Sequence, residues 1–321
     1  LLMHDVEPLK PSNTGWLIAD DETIDVIDTK RENNLPVHLV TKLPKDVTAT
    51  FTAKINEKKR IQCECNHSAT HLLHEALREV LGTHVEQKGS YVSPDSLRFD
   101  FSHFQKVTDE EIRKVEKLVS EKIRANYPLE EHRNMPIAEA KALGAMALFG
   151  EKYGDEVRVL AMGTTKDEKN FSIELCGGIH VKRTGDIGLF KITSEGGVAA
   201  GVRRIEAVTG TKALEAVQKV DADIVHINDL LKAQKDQTVE KVEATVETAH
   251  QLQKQIEQLN QKLANFQASE LMNQVQEIAG RQTLIAAVQG QDAKSLRHLH
   301  DSVKSKLDHA VIVLAGVEGN K

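Results

Sequence analysis

The chain has 321 residues, of which 40% are hydrophobic, 28% charged and only 4% aromatic, and its formal net charge is −6. This length exceeds one ordinary core and predicts two or three domains, while the negative charge excludes a surface uniformly coated with cations for nucleic acid. With no secretory leader, no membrane-length apolar run and only three cysteines, we expect a cytoplasmic protein without membrane contact or a disulfide framework.

The first fifty residues predict a small β-domain. Short apolar runs at Trp16–Ile18, Ile24–Ile27 and Val37–Val40 are separated by acidic turns, and an alternating pattern at Val47–Phe51 predicts a further strand. We therefore expect residues 1–50 to form part of a β-barrel.

The next 160 residues mix helices and strands. Apolar residues recur at helical spacing over residues 67–81, with Asn66 as a plausible N-cap and Gly82 as the residue that ends the helix. A capping-box pattern at Thr108 opens a second helix. Strands are predicted at residues 97–101, 157–162 and 171–175. Separated helices and strands of this kind indicate an α+β fold, and we expect a mixed sheet beside the helix that starts at His67.

Glycine and β-rich segments disappear after Gly210, where helical composition begins. Two apolar stripes with spacings of three and four, the second running from Val239 to Phe266, predict a coiled coil over residues 211–278. The polar stretch Gln234–Gln237 indicates a reversal between two helices, which would make a helical hairpin; one continuous dimerising helix is the alternative.

The last segment, residues 279–321, changes pattern again. A strand at residues 283–288, an amphipathic helix at 293–307 and a strand at 311–314 form a βαβ-like sequence. We interpret this segment as the start of an α/β domain that the end of the chain truncates.

Two short motifs carry metal-binding residue types. His67 and His71 stand at i and i+4, on one face of the predicted helix, but chance supplies roughly 0.6 such pairs at this histidine content. Cys176 and His180 enclose two glycines that permit a tight turn, and chance supplies only roughly 0.13 such pairs. The four residues together predict a zinc site that joins a helix to the loop after a strand.

A local alternative uses the other two cysteines. Cys63 and Cys65 precede the histidine pair closely, so both cysteines with His67 and His71 could bind one ion. Against this, Ile61, Cys63 and Cys65 alternate as in a strand, which would leave the cysteines as small buried residues. The nearby His74 is interpreted as a polar edge of the helix.

The segments around these motifs resemble the editing domain of alanyl-tRNA synthetases over about residues 50 to 210, and the coiled coil and last domain follow in that family's order. The resemblance is carried by these stretches: Asn66–His74, Gly82–Ser90, Leu97–His103, Ala147–Gly154, Glu174–His180 and Gly201–Glu206. Such a domain implies hydrolysis of mischarged Ser-tRNA(Ala) and Gly-tRNA(Ala), with Zn2+ held by His67, His71, Cys176 and His180.

The resemblance also implies roles for other residues. Gln87 corresponds to an editing-site residue, Thr70 to a contact for the serine hydroxyl, and Cys176 to a member of the substrate pocket as well as a ligand. From the residues alone, Gln87 is equally an exposed strand-end amide and Thr70 a helix threonine bonded to its own turn. Arg203 and Arg204 follow a glycine-rich run and are candidates for contacting tRNA phosphates, or else form an ordinary solvated strand end.

The partners implied are the acceptor end of tRNA(Ala) and its mischarged forms, with a homodimer possible through the C-terminal region. Three departures accompany the resemblance. The family usually carries threonine where Ile179 stands, which puts editing competence in question. Only Ser12–Gly15 resembles the family's preceding barrel loop. The ligase core that uses ATP and Mg2+ is absent.

Three functions therefore stay open on the sequence. The first is an editing hydrolase that is part of a ligase, the second a freestanding trans-editing deacylase, and the third a zinc-stabilised module for tRNA binding and oligomerisation without catalysis.

Overall fold

The computed structural model describes residues 14–32, 35–146, 154–164, 170–289 and 293–317. The chain forms two compact units, Leu1–Asp221 and Ala222–Lys321. Both contain helices and strands, so the predicted α+β class is confirmed. Most of the motif at residues 147–154, and Ser12 and Asn13, lie outside the described residues.

The first unit opens with a four-stranded antiparallel sheet in the order β3-β2-β1-β4. Its strands are β1 (Gly15–Ile18), β2 (Thr23–Glu32), β3 (Leu35–Val40) and β4 (Thr52–Ile55). The strand predicted at Val47–Phe51 is wrong, because residues 47–50 form a turn. Asp46 Oδ1 accepts hydrogen bonds from the backbone and hydroxyl of Thr48, which stabilises a turn against an extended chain.

Helix α1 (Glu57–Leu81) begins ten residues earlier than predicted. Asn56 is its N-cap and accepts a hydrogen bond from Lys59 N, and the ion pair between Arg60 and Glu64 spans one turn. The strand predicted through Cys63 and Cys65 is therefore wrong. The predicted cap, Asn66, is a buried helix residue whose side chain bonds Ser93 and Thr209.

Nine further elements complete the first unit before its last helix. They are β5 (Gln87–Val92), β6 (Leu97–Ser102), α2 (Asp109–Arg124), β7 (Leu129–Pro136), α3 (Ile137–Ala142), β8 (Glu156–Thr164), β9 (Asn170–Leu175), β10 (Phe190–Ala199) and β11 (Val202–Thr209). The predicted strands at 97–101, 157–162 and 171–175 are confirmed. So are the helix end at Gly82 and the capping box at Thr108.

These strands form two sheets, ordered β10-β11-β6-β5 and β7-β8-β9. Each pairing within them is antiparallel, so the predicted mixed sheet is wrong for this region. Helix α1 contacts α2 and strands of both sheets, with Leu72, Leu73 and Leu77 fully buried in the main core. Because β9 packs against α1, the loop that follows β9 starts beside the helix.

Helix α4 (Gly210–Leu231) begins in the first unit and ends in the second, where α5 (Thr238–Leu271) follows. Residues 232–237 are not helical, so the alternative of one continuous helix is wrong. The stripe of α5 stays open: Val239, Val242, Val246, Leu252, Ile256, Leu259, Leu263 and Phe266 are 41–70% exposed. The coiled-coil pairing of the hairpin is therefore not seen among the described residues.

The second unit ends as predicted with a βαβ sequence. After α5 come β12 (Gln276–Ile278), β13 (Arg281–Gln289), α6 (Ala293–Lys304) and β14 (Val311–Val317). Strands β13 and β14 are parallel neighbours, and β12 is antiparallel to β13. Leu284, Leu299 and Val303 form the centre of its core.

Candidate metal centre

Helix α1 presents two imidazoles on one face. His67 and His71 are one turn apart, and their ring centroids are 5.1 Å apart. His71 is buried at 4% exposure, whereas His67 is partly exposed at the edge of the first sheet region. The helix therefore holds one ligand within the core and the other near solvent.

The loop after β9 supplies the other half. Cys176 Sγ lies 3.6 Å from His67 Nε2 and 3.4 Å from His180 Nε2, and the His180 ring stacks on His67 at 4.2 Å. One nitrogen from each of the three histidines and the Cys176 sulfur all lie within 4.8 Å of one another. The structure thus brings together the four residues predicted as ligands, which we call the metal centre.

The donor set suits zinc. With Zn–N and Zn–S bonds of about 2.0 and 2.3 Å, a tetrahedral ion separates a sulfur and a nitrogen ligand by roughly 3.5 Å. The two measured sulfur–nitrogen distances match that separation. Only a small inward movement of the remaining donors is needed to close the set around one ion.

Neighbouring groups orient two of the rings. His67 Nδ1 donates to the carbonyl oxygen of Ile179 at 3.1 Å, so its Nε2 is free to bind a metal. His180 Nδ1 lies 3.1 Å from Ser68 Oγ, which also accepts the Val181 N–H. Each half of the centre therefore positions a histidine of the other half, the arrangement that holds zinc-binding imidazoles in place.

The ionisation of the donors favours a cation. Burial raises the pKa of the Cys176 thiol, but hydrogen bonds from His180, His67 and His71 outweigh this and lower it to about 3. Burial also lowers the pKa of His180 to about 3, which leaves that ring neutral. At neutral pH the centre therefore contains a thiolate and at least one imidazole ready to coordinate.

His71 behaves differently. Burial would lower its pKa, but the charge of Glu174 outweighs burial and raises the pKa to about 10. Without a metal the ring is protonated at neutral pH, so it must release a proton when it coordinates. Metal affinity is therefore expected to weaken as the pH falls.

The backbone of the loop is clamped by Arg158 of β8. Its guanidinium donates to the carbonyl oxygens of Cys176 and Gly178, and Glu131 of β7 accepts from it at 2.7 Å. Hydrogen bonds from Arg158 and Arg133 lower the pKa of Glu131 from 4.5 to about 2. The clamp joins the sheet β7-β8-β9 to the loop that carries Cys176.

This clamp predicts a pH-dependent stability. Because the pKa of Glu131 is lower in the folded than in the unfolded chain, its contribution is complete above pH 4.5 and is lost as the pH falls towards 2. We expect Glu131→Gln to be less stable than wild type at pH 5.5 and to approach it at pH 3. Urea unfolding of both proteins in excess chelator measures this. An equal difference at both pH values would contradict it.

The local alternative with Cys63 and Cys65 is wrong. Both side chains are buried in α1, and Cys65 Sγ donates to the carbonyl oxygen of Asp186. Burial raises the pKa of both thiols, that of Cys65 to about 11. Neither belongs to the group of donors around Cys176, so both are small core residues.

Thr70 and Gln87 are placed without contact to the four donors. The Thr70 hydroxyl is buried and donates to the carbonyl oxygen of Asn66, one turn back in α1. The Gln87 amide, at the start of β5, bonds Ser90 Oγ at 3.4 Å. Their predicted roles in binding substrate stay predictions.

Arg203 and Arg204 lie on β11 and already have acidic partners. Arg203 pairs with Glu195 through two nitrogens, and Arg204 pairs with Asp100 at 2.7 and 2.8 Å. A phosphate would have to compete with these carboxylates, or bind the remaining N–H donors. Their predicted contact with tRNA stays a prediction.

Sequence reasoning missed the groups that support the ligands. Ser68 lies between the two helical histidines and Glu174 two residues before Cys176, so proximity in sequence was a usable signal for both. Arg158 lies 18 residues before Cys176 and carried none. His74, interpreted as a polar edge, is instead buried and bonded to Glu174.

Comparison with known proteins agrees with this arrangement. Residues 157–206, which include Cys176 and His180, match the family described as the threonyl and alanyl tRNA synthetase second additional domain. An alanine–tRNA ligase of Parabacteroides distasonis is 60% identical over 305 residues, which are 95% of this chain and 34% of that protein. Those of Bacteroides fragilis and Psychrobacter sp. are 49% and 50% identical, over 96% and 94% of this chain and 34% of each relative.

The chain is homologous to part of the alanine–tRNA ligases. It spans about a third of the length of the curated relatives that it matches. The predicted resemblance to this family of aminoacyl-tRNA synthetases is thereby confirmed. Among the described residues, no helix is long and apolar enough to cross a membrane.

Proposed function

We propose that the first unit hydrolyses the ester bond of tRNA(Ala) mischarged with serine or glycine, and that this requires Zn2+ in the metal centre. The main support is the convergence of four donor atoms within 4.8 Å in a chain homologous to alanine–tRNA ligases. A match to the second additional domain of threonyl and alanyl tRNA synthetases adjoins the same residues.

The need for such a reaction is physical. A binding pocket for alanine discriminates poorly against an amino acid that differs by one methyl or hydroxyl group, since each is worth only about 1–3 kcal/mol. A second site that hydrolyses the wrong products supplies the missing selectivity. Bound zinc would supply a Lewis acid that orients the substrate or acidifies water.

The chain's own residues would prepare and expose the site. Cys176 is held as a thiolate, and the Ile179 carbonyl and Ser68 hydroxyl orient His67 and His180. Gly177 is exposed and has open space where a side chain would begin, so substrate can approach from that side. We further propose that the tRNA acceptor end lies against this opening, with Arg203 and Arg204 near its phosphates.

The proposed substrate contacts require local changes. Thr70 must give up its bond to the Asn66 carbonyl before its hydroxyl can meet a serine side chain. Gln87 is held only by a 3.4 Å bond to Ser90 at the edge of its sheet, so its amide can turn more readily. Cys176 would border the substrate as well as hold the metal.

A second candidate function is a module for tRNA binding and oligomerisation in which zinc is structural. The observation that favours it is the count of four protein donors, because structural zinc sites are closed by four ligands whereas catalytic sites keep one position open. A homodimer through the second unit belongs to this proposal, and the exposed stripe of α5 is compatible with it. A freestanding trans-editing deacylase would share the chemistry of the first proposal.

One assay separates the two classes. Zinc content and the deacylation of Ser-tRNA(Ala) are measured for the chain and for Cys176→Ala and Cys63→Ala. We expect the wild type and Cys63→Ala to hold one zinc ion and to deacylate, and Cys176→Ala to lose at least tenfold in rate, because a sulfur ligand is removed. Zinc without hydrolysis in the wild type would favour the structural module and contradict the hydrolase.

A further inference from the structure

A carboxylate lies buried behind the metal centre. Glu174 of β9 is 2% exposed and pairs in the sheet with Leu160 of β8, two positions before the ligand Cys176. A charged side chain at this depth is costly unless it is paired. Its surroundings therefore indicate what it does.

Both oxygens of this carboxylate meet imidazoles of α1. Glu174 Oε2 lies 2.6 Å from His71 Nδ1, and Oε1 lies 3.0 Å from His74 Nδ1. Residues three apart share a helix face, so one carboxylate reaches both rings. Both histidines are 4% exposed, which keeps water from competing for these contacts.

These contacts determine which nitrogen of His71 faces the metal centre. A carboxylate accepts hydrogen bonds and does not donate them, so it favours a proton on His71 Nδ1. The lone pair is then on Nε2, towards Cys176. His67 and His180 are oriented by the Ile179 carbonyl and the Ser68 hydroxyl, which are uncharged, so Glu174 is the charged member of this outer group.

We propose that Glu174 is a positioning residue of the metal centre, which holds His71 in its metal-binding orientation and balances the charge of the ion. A dication with one thiolate ligand keeps one positive charge, and Glu174 supplies the matching negative charge one imidazole away. His74 fixes the second oxygen, so that the carboxylate cannot turn away from His71. The proposal rests on the metal site of the proposed function, not on its hydrolytic activity.

The test measures metal affinity rather than catalysis. Glu174→Gln keeps the shape of the side chain but removes its charge and places an N–H donor beside one of the rings. We expect zinc affinity, from competition with a chromophoric chelator, to fall roughly 10–100-fold, and the visible spectrum of the cobalt-substituted protein to change. Glu75→Gln is the matched control, because Glu75 lies on α1 beside His74 but pairs with Arg78.

The outcomes separate the possibilities. If both variants bind zinc like the wild type, the proposal is wrong. In a His71→Ala background, Glu174→Gln should cause no further loss, whereas an equal further loss would show a general structural role and overturn the proposal. If Glu174→Gln does not fold, Glu174→Asp decides in the same assay, since the shorter chain keeps the charge but withdraws it from His71: a tenfold loss supports the proposal and wild-type affinity contradicts it.

Failure of the proposed function looks different. A wild-type chain that binds zinc in a manner dependent on Glu174 but does not deacylate Ser-tRNA(Ala) would contradict only the hydrolase. A wild-type chain that binds no zinc would contradict both.

Discussion

Gly178→Ala is expected to weaken zinc binding at least tenfold, whereas Gly177→Ala leaves it unchanged. A Cβ on Gly178 would lie 2.2 Å from Cε1 and 2.7 Å from Nδ1 of His67, so the ring must leave its position. At Gly177 the same atom meets nothing within 4 Å. The two glycines are adjacent, share the loop and undergo the same substitution, so their difference isolates the contact with His67.

The steric conflict at Gly178 has two costs. Displacing the ring breaks the bond from His67 Nδ1 to Ile179, and overpacking of this kind costs about 1–3 kcal/mol. A tenfold loss of affinity corresponds to about 1.4 kcal/mol. Zinc affinity by chelator competition measures the effect, with circular dichroism to verify folding. Equal affinities of the two variants would show that His67 is not a ligand.

Removal of zinc is expected to lower the melting temperature of the wild type by roughly 10 °C, since a ligand at a thousand times its dissociation constant stabilises by about 4 kcal/mol. The ion would join Cys176 to His67, 109 positions apart, so it ties the loop after β9 to α1. Melting curves with excess zinc and with excess chelator give the difference directly.

The matched variants for this prediction are the two buried or ligating cysteines. Cys176→Ala should melt at the same temperature with zinc and with chelator, because the ion has lost its sulfur ligand. Cys63→Ala, which loses a buried thiol that is not a ligand, should keep the full zinc-dependent difference even if its overall stability drops. A Cys63→Ala protein that no longer responds to zinc would contradict the ligand set.

The sequence by itself determined the features that depend on local pattern. The helix from His67 to Leu81, the capping box at Thr108 and the strand before Cys176 follow from apolar spacing and from side chains that bond their own backbone. The two ligand pairs were also visible, since histidines four apart share a helix face. The glycines between Cys176 and His180 marked a turn.

Local pattern failed where competing interactions decided the backbone. Residues 57–66 have a strand-like alternation around Cys63, but the cap at Asn56 and the pair of Arg60 with Glu64 extend α1 through them. The alternation at Val47–Phe51 lost to the turn at Asp46 in the same way. In both cases side-chain hydrogen bonds to nearby groups outweighed the weak preference of a few apolar residues.

Only the tertiary structure decided which groups support the metal centre. The contacts of Ser68 with His180, Arg158 with the Gly178 carbonyl and Glu174 with His71 join residues 20 to 112 positions apart, and no spacing in the sequence encodes them. It also separated Gly178, which packs against His67, from Gly177, which packs against nothing. The ligand types were legible because coordination chemistry restricts them, whereas their orientation depends on how β8, β9 and α1 pack.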